Sequence, residues 1–420
     1  MTRRPLIGVG AVGVVVTIAM LFALGSGPAT PSPNASAGAS TGASTGAAAG
    51  TAGPAATTAG SADTPRPTAR PVPGHEVFGF VPYWEMNDGI AEHLAKTPLT
   101  TLALFSVTHT KDGSIDTKQT GYRRITGGIG QQLIREAHHR KVKVQLTYTS
   151  FGAARNKTFF GSLALQDATI EGLVALAIKT DVDGINVDVE RIDADLAPAY
   201  GAFVGRLRDA LRAKIPDAQV STATTSGPIG GGMALAAATA GADRLFMMAY
   251  DYHYAGSDVG ASAPMDRRDG AAPDLVWSLD LWESLGVPVE RTILGLPLYG
   301  MRWRVSGPEI GAPRLGDGAI WVPADNPRFL ADPPAPAEFD PIEIVQFYSV
   351  APTVKAVPGD SRAAAGWQAI YVDSPETLAP KMALADERGL AGAGFWAIGY
   401  ERGLKGYREL FNRFAEGKLR

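Results

Sequence analysis

From Val77 onward, short runs of apolar and β-branched residues recur near Val77–Trp84, Thr100–Val107, Lys141–Tyr148, Gly184–Glu190, Gln219–Thr224, Arg244–Tyr250, Thr292–Tyr299 and Gly392–Ala397. Between most of them the period changes. Ile129–His139, Leu163–Ile178, Ala194–Ala213 and Pro375–Arg388 carry apolar residues at i, i+3 and i+4, the spacing of an amphipathic helix. Strands alternating with helices predict a parallel sheet, and eight such repeats predict an α/β fold closed into a (β/α)8 barrel. The longest gap lies between the seventh and eighth runs. There Met301 to about Ala369 is rich in Pro, Gly and Trp and shows little helical period.

The fourth run departs from a simple buried strand. Side chains of a strand alternate faces, so Ile185, Val187 and Val189 point one way while Asn186, Asp188 and Glu190 line the other. Acidic residues are depleted from strands, so a face of this kind reads as a chemical site rather than an ordinary edge. Carboxylates two residues apart on one face raise each other's proton affinity, which can keep one of them protonated near neutral pH as a general acid. An amide at position 186 is expected to donate a hydrogen bond to the Asp188 carboxylate. Asp183, at the start of the run, is as well read as a loop or capping residue as a direct participant. Glu190, Tyr250, Tyr299 and Trp396 all fall at or near predicted strand ends, and barrels of this class place their chemistry at the C-terminal ends of strands.

The segment Asp183–Glu190 resembles the D-G-x-[DN]-x-[DN]-x-E signature of family 18 glycoside hydrolases, the chitinase-like enzymes. Further segments match in family order. Phe78–Trp84 looks like the family's first strand, Met248-Ala249-Tyr250-Asp251 its sixth, Leu296–Gly300 its seventh and Gly394–Glu401 its eighth. The resemblance implies a TIM barrel with a small α+β insertion between strands seven and eight, at about 301–369. It also implies retaining, substrate-assisted hydrolysis of β-1,4-linked N-acetylglucosamine glycans, chitin or peptidoglycan, in which the substrate's own acetamide is the nucleophile. Carried over residue by residue, Glu190 is the acid and later the base. Asp188 orients the acetamide nitrogen, Tyr250 binds its carbonyl, and Asp251 contacts the sugar or the acid. Trp396 is the apolar floor of the reacting subsite, with Tyr299, Phe80, Trp84 and Trp303 as further sugar contacts, and Asp183 and Asn186 support the catalytic set. The family also includes lectin-like members, so a non-catalytic carbohydrate-binding protein is the alternative reading.

Two positions depart from the pattern. Asn186 stands where many chitinases have Asp. It resembles instead bacterial cell-wall and spore-cortex N-acetylglucosaminidases, as does the run Tyr250-Asp251-Tyr252-His253-Tyr254. The arginine expected directly after Tyr299-Gly300 is Met301, followed by Arg302 and Trp303.

Composition narrows the remaining possibilities. The chain has no cysteine, which excludes disulfides, thiol catalysis and cysteine-ligated metals. Net charge is −3 with scattered Lys and Arg, which gives no stripe for nucleic acid. No His/Asp/Glu spacing resembles a metal site, Gly230–Gly232 lacks the lysine of a phosphate loop, and no cofactor is expected. His138 and His139 are adjacent on a predicted helix and cannot face one ligand together, whereas His253 is placed at the rim. Trp84, Trp303, Trp321 and Trp367 each read equally as core or as sugar contacts.

Arg3 and Arg4 precede an uncharged apolar run, Leu6–Leu24, long enough to span a bilayer, so residues 1–25 read as a signal anchor or a cleavable signal peptide. Residues 26–75 are dominated by Ala, Gly, Ser, Thr and Pro and are expected to form a disordered linker with a reach on the order of 40 Å. Residues 76–420 are expected to be the catalytic barrel, monomeric and either membrane-anchored or secreted. Asn34-Ala35-Ser36 and Asn156-Lys157-Thr158 match the short N-glycosylation sequon.

Overall fold

The computed structural model describes residues 75–352 and 366–419. The proposed N-terminal anchor and linker lie outside the described residues, apart from His75. Eight parallel strands close into a barrel: β1 (Glu76–Pro82), β2 (Thr101–Val107), β3 (Lys143–Phe151), β4 (Gly184–Glu190), β5 (Gln219–Thr225), β6 (Arg244–Met248), β7 (Thr292–Pro297) and, last in the chain, β13 (Gly392–Trp396). β13 pairs with both β1 and β7, which closes the ring. Helices α1 (Asp88–Leu94), α2 (Thr120–Thr126), α3 (Gly128–His139), α4 (Ala153–Phe160), α5 (Leu163–Thr180), α6 (Ala197–Arg212), α7 (Pro228–Thr239) and α8 (Leu275–Ser284) follow successive strands, and α10 (Pro375–Glu387) precedes β13.

Two apolar layers hold this arrangement. Outward residues such as Leu102, Val144, Val187 and Leu245 join helix residues such as Leu173, Phe203 and Ala237 in one continuous core. Inside the ring, Phe78, Phe80, Ala103, Ala223, Phe246, Met248 and Ile293 form a second cluster. The Phe246 ring fills so much of this space that a Cβ on Gly295 or Gly394 would come within 2.3 or 2.5 Å of it. Glycine is therefore required at both positions by the close approach.

The long gap holds a five-stranded antiparallel sheet built from β8 (Gly300–Val305), β9 (Ala319–Trp321), β10 (Glu338–Asp340), β11 (Val345–Val350) and β12 (Trp367–Val372), in the order β10-β11-β12-β8-β9. Alternation along β8 and β12 gives it two faces. Met301, Trp303, Val305, Phe347, Ala369 and Tyr371 pack with Tyr299 on one, and Tyr250 and Trp396 lean on that cluster from the barrel rim. Trp321, Tyr348, Ile370 and Val372 pack on the other under Phe329 and Leu330 of α9 (Pro327–Ala331). Helix α11 (Tyr407–Ala415) closes the barrel beside β1.

The loop after β6 is fastened to this sheet by buried charge. Arg268 pairs with the fully buried Asp340, while Glu343 accepts a hydrogen bond from Ala261 N at 2.6 Å. His253 lies 3.5 Å from the other Glu343 oxygen. That buried imidazole corrects the sequence expectation of a rim position for His253. Its Nδ1 lies 2.9 Å from the Asp258 carbonyl, so both nitrogens face interior groups.

Candidate active site

β4 carries the centre of the site, and its alternation is the one read from sequence. Ile185, Val187 and Val189 enter the outer core, whereas Asn186 and Asp188 are buried on the barrel side. In register, Asn186 stands opposite Ser221 and Asp188 opposite Ala223, and Glu190 ends the strand beside Phe151 of β3. Tyr250 and Asp251 follow directly after β6, where Asp251 adopts a left-handed backbone with φ 59°. Its carboxylate accepts hydrogen bonds from the Tyr299 hydroxyl and, at 3.4 Å, from Ser262 Oγ.

Burial without full compensation sets the electrostatics. Loss of solvent raises the Glu190 carboxyl to about 7, with the Asp251 charge adding to the rise and Arg191 opposing it. At neutral pH a substantial fraction of Glu190 therefore holds a proton, as a general acid requires. Asp188 is also raised well above the ordinary carboxylate range, first by burial and then by Glu190. One of its oxygens has no hydrogen-bond partner. Burial likewise raises Tyr250, whose hydroxyl sits in the field of Asp188, Asp251 and Glu190 and stays neutral as a donor.

Asn186 does not do what the sequence suggested. Its amide nitrogen donates to Ser221 Oγ at 2.8 Å, and Ser221 in turn donates to Gln145, so the side chain joins a polar layer inside the barrel rather than donating to Asp188. Its amide oxygen is left without a partner. Asp183 is a second correction to the supporting set. It lies at the opposite end of the strand, where it accepts from Val144 N at 2.7 Å and lies 2.8 Å from His138 Nε2.

The aromatic predictions divide by exposure. Trp396 faces Phe105 edge-on with centroids 4.8 Å apart, Phe80 packs beneath it at 5.8 Å, and Trp84 lies at 6.2 Å. Trp84 remains 39% exposed, its indole donating to the Tyr400 hydroxyl at 3.2 Å, so it stays available to a ligand. Phe80 supports Trp396 from inside the barrel and does not reach the surface. Trp303 is buried against Tyr371 in the inserted sheet, which removes it from the sugar contacts; Trp321 is core on the opposite face. Met301 is buried and Arg302, on the alternate face of β8, is exposed.

Two aromatics escaped the sequence reading. Phe105 ends the inward row of β2, and Phe151, 39% exposed at the tip of β3, stacks on it at 6.5 Å. A strand extended past Tyr148 to the Ser-Phe-Gly turn reveals Phe151 as a rim residue beside Glu190. In the resulting row the buried Phe105 backs Trp396 and Phe151, and these two with Trp84 alongside offer a surface on which C–H faces of sugar rings can stack. Asn156, within the Asn-Lys-Thr sequon, is fully buried and cannot carry a glycan in the folded protein. Among the described residues no group of three or more His, Asp or Glu is arranged to hold a metal ion.

The comparisons with known proteins agree with this geometry. The profile of glycosyl hydrolases family 18 matches residues 76–401. An endochitinase of Brugia malayi is 26% identical over 278 residues, 62% of this chain and 54% of that protein. The chain spans between 39% and 54% of the length of the first curated relatives it matches. Among solved structures, an immunomodulatory active chitinase from Trichuris suis superposes with a TM-score of 0.68 at 17% identity, over 82% of this chain and 100% of that one. The spore cortex-lytic enzyme SleL of Bacillus cereus gives 0.62 at 17% identity, over 81% and 74%. These structural likenesses establish the barrel, and the profile match establishes the lineage: the chain belongs to glycosyl hydrolases family 18.

Proposed function

We propose that this protein is a retaining glycoside hydrolase that cleaves β-1,4-linked N-acetylglucosamine glycans with help from the substrate's acetamide group. The observation that carries the reading is the inward pair at the end of β4, Asp188 buried and Glu190 half-buried, with Glu190 raised to about 7. Glu190 donates its proton to the glycosidic oxygen as the C1–O bond breaks. The acetamide carbonyl oxygen forms a bond to C1 from the other face, giving a cationic oxazoline. Asp188 holds the acetamide N–H and balances that charge, and the neutral Tyr250 hydroxyl donates to the acetamide oxygen. Glu190, now ionised, takes a proton from the water that opens the ring, which restores both groups. Trp396 supplies the apolar surface beneath the sugar, backed by the buried Phe105, and Phe151 and Trp84 extend it. The substrate class is chitin or peptidoglycan, and the apolar Leu6–Leu24 run supports a location outside the cytoplasm, anchored or secreted.

The test is incubation of the purified protein with chitooligosaccharides and with peptidoglycan, followed by mass spectrometry and by proton NMR of the first product formed. Initial β-anomer supports retention and initial α-anomer overturns the mechanism. Tight glycan binding with no product from either polymer would identify a lectin-like protein instead. Recovery of the full chain in salt-resistant membrane pellets, against a soluble form beginning after Gly25, separates anchor from signal peptide.

A further inference from the structure

We infer that Asn156, on the first turn of α4, is a positioning residue for Glu190; this rests on the reading of Glu190 as the acid. The chain leaves β4 through Arg191, whose backbone is left-handed at φ 59°, a conformation uncommon for a residue with a Cβ. Something must hold that turn. The Asn156 side chain, pointing back toward the N-terminus of its helix, donates from Nδ2 to the Glu190 carbonyl at 2.6 Å and to the Arg191 carbonyl at 3.3 Å. It also reaches Ser150 O at 3.2 Å, while its Oδ1 accepts from Ser150 Oγ at 2.6 Å. The three carbonyls around one end and the hydroxyl at the other fix which way the amide faces. Gly152, at φ 106° with open space where a Cβ would be, turns the chain so that its own N–H donates to the Glu190 carbonyl at 3.1 Å. The acid's main chain is therefore gripped by two donors from the β3–α4 turn, and that turn also carries Phe151.

A general acid misplaced by about 1 Å loses on the order of 100-fold in rate, so this grip acts on proton delivery. Asn156→Asp keeps the shape but sets an acceptor against three carbonyls. The discriminating measurement is kcat/KM on two substrates: chitotetraose, whose leaving oxygen needs the proton, and 2,4-dinitrophenyl β-chitobioside, whose phenolate departs without one. Glu190→Gln, measured alongside, must lose activity selectively on chitotetraose. We expect Asn156→Asp to show the same selectivity, about 10- to 100-fold on chitotetraose and within about threefold on the aryl glycoside. Equal losses on both substrates, or no loss, overturn the inference while leaving Glu190 as the acid. Unselective behaviour of Glu190→Gln overturns the acid assignment and this inference with it. Should Asn156→Asp fail to fold, Ser150→Ala removes the hydroxyl that orients the amide and is expected to cost several-fold with the same selectivity; an unselective loss there decides against the inference.

Discussion

The two ends of this barrel carry the same kinds of side chain and use them in opposite ways. At the N-terminal end, Glu76, Asp183 and Asp243 are tied down. Asp183 accepts from Val144 N at 2.7 Å, and Asp243 accepts from Val220 N at 2.8 Å and from Arg212 at 2.7 Å. In each case the aspartate's own N–H also donates to that same neighbour's carbonyl, at 2.7 Å. Glu76 pairs with Arg244. The two aspartates latch one strand to the next, and Glu76 ties β1 to β6 across the end of the barrel. At the C-terminal end, the buried Asp188 and the half-buried Glu190 and Asp251 lie near one another, and loss of solvent raises their proton affinities. One strand thus begins on a latch and ends on an acid. The difference comes from partners supplied by other elements and not from the residue type.

The comparison breaks most sharply at Glu190. Glu190→Gln is expected to lower turnover about 10³-fold or more while glycan binding measured by calorimetry persists, because only the transferable proton is lost. Activity within tenfold of the parent would remove Glu190 from the chemistry. Asp188→Asn should cost about 10²-fold in kcat, since the amide cannot balance the charge of the intermediate.

The latch end predicts the reverse pattern. Asp183→Asn should lower unfolding free energy by about 1–3 kcal/mol, read from urea melts, with kcat unchanged within about twofold. A rate loss without a stability loss would contradict the assignment of the two ends.

Stability against pH offers a finer test. Glu190 is raised in the folded protein from 4.5 to about 7, so its contribution favours folding at low pH and fades as pH rises across that window. Glu190→Gln should therefore melt progressively higher than the parent between pH 4.5 and 8, by no more than about 3 kcal/mol in total. A constant difference across that range would mean that burial does not hold the proton. The smallest expected effect is at Asp251. Its anion adds to the rise at Glu190, so Asp251→Asn should move the alkaline limb of the kcat/KM profile to lower pH, by about one unit or less.

Much of this was legible along the chain. The bounds of β4 and the opposition of Ile185, Val187 and Val189 to Asn186, Asp188 and Glu190 followed from period two, because alternation is imposed by the strand backbone itself. The order of strands and helices set the barrel for the same reason. Asn156 was hidden by distance, since the carbonyls it holds lie 34 and 35 residues away in the chain. Trp303 and Trp396 are the same residue at strand positions of similar pattern; only packing shows that one fills the inserted sheet and the other meets the cleft.

Local sequence thus determined which residues form strands, which face each side chain takes, and which family the chain resembles, since these depend on neighbours a few positions apart. Tertiary structure alone decided that Asp183 is latched while Glu190 holds its proton, that Asn186 turns to Ser221, and that Asn156 grips the acid's main chain. Desolvation and hydrogen-bond partnership arise only when distant segments are brought together, so no local pattern encodes them.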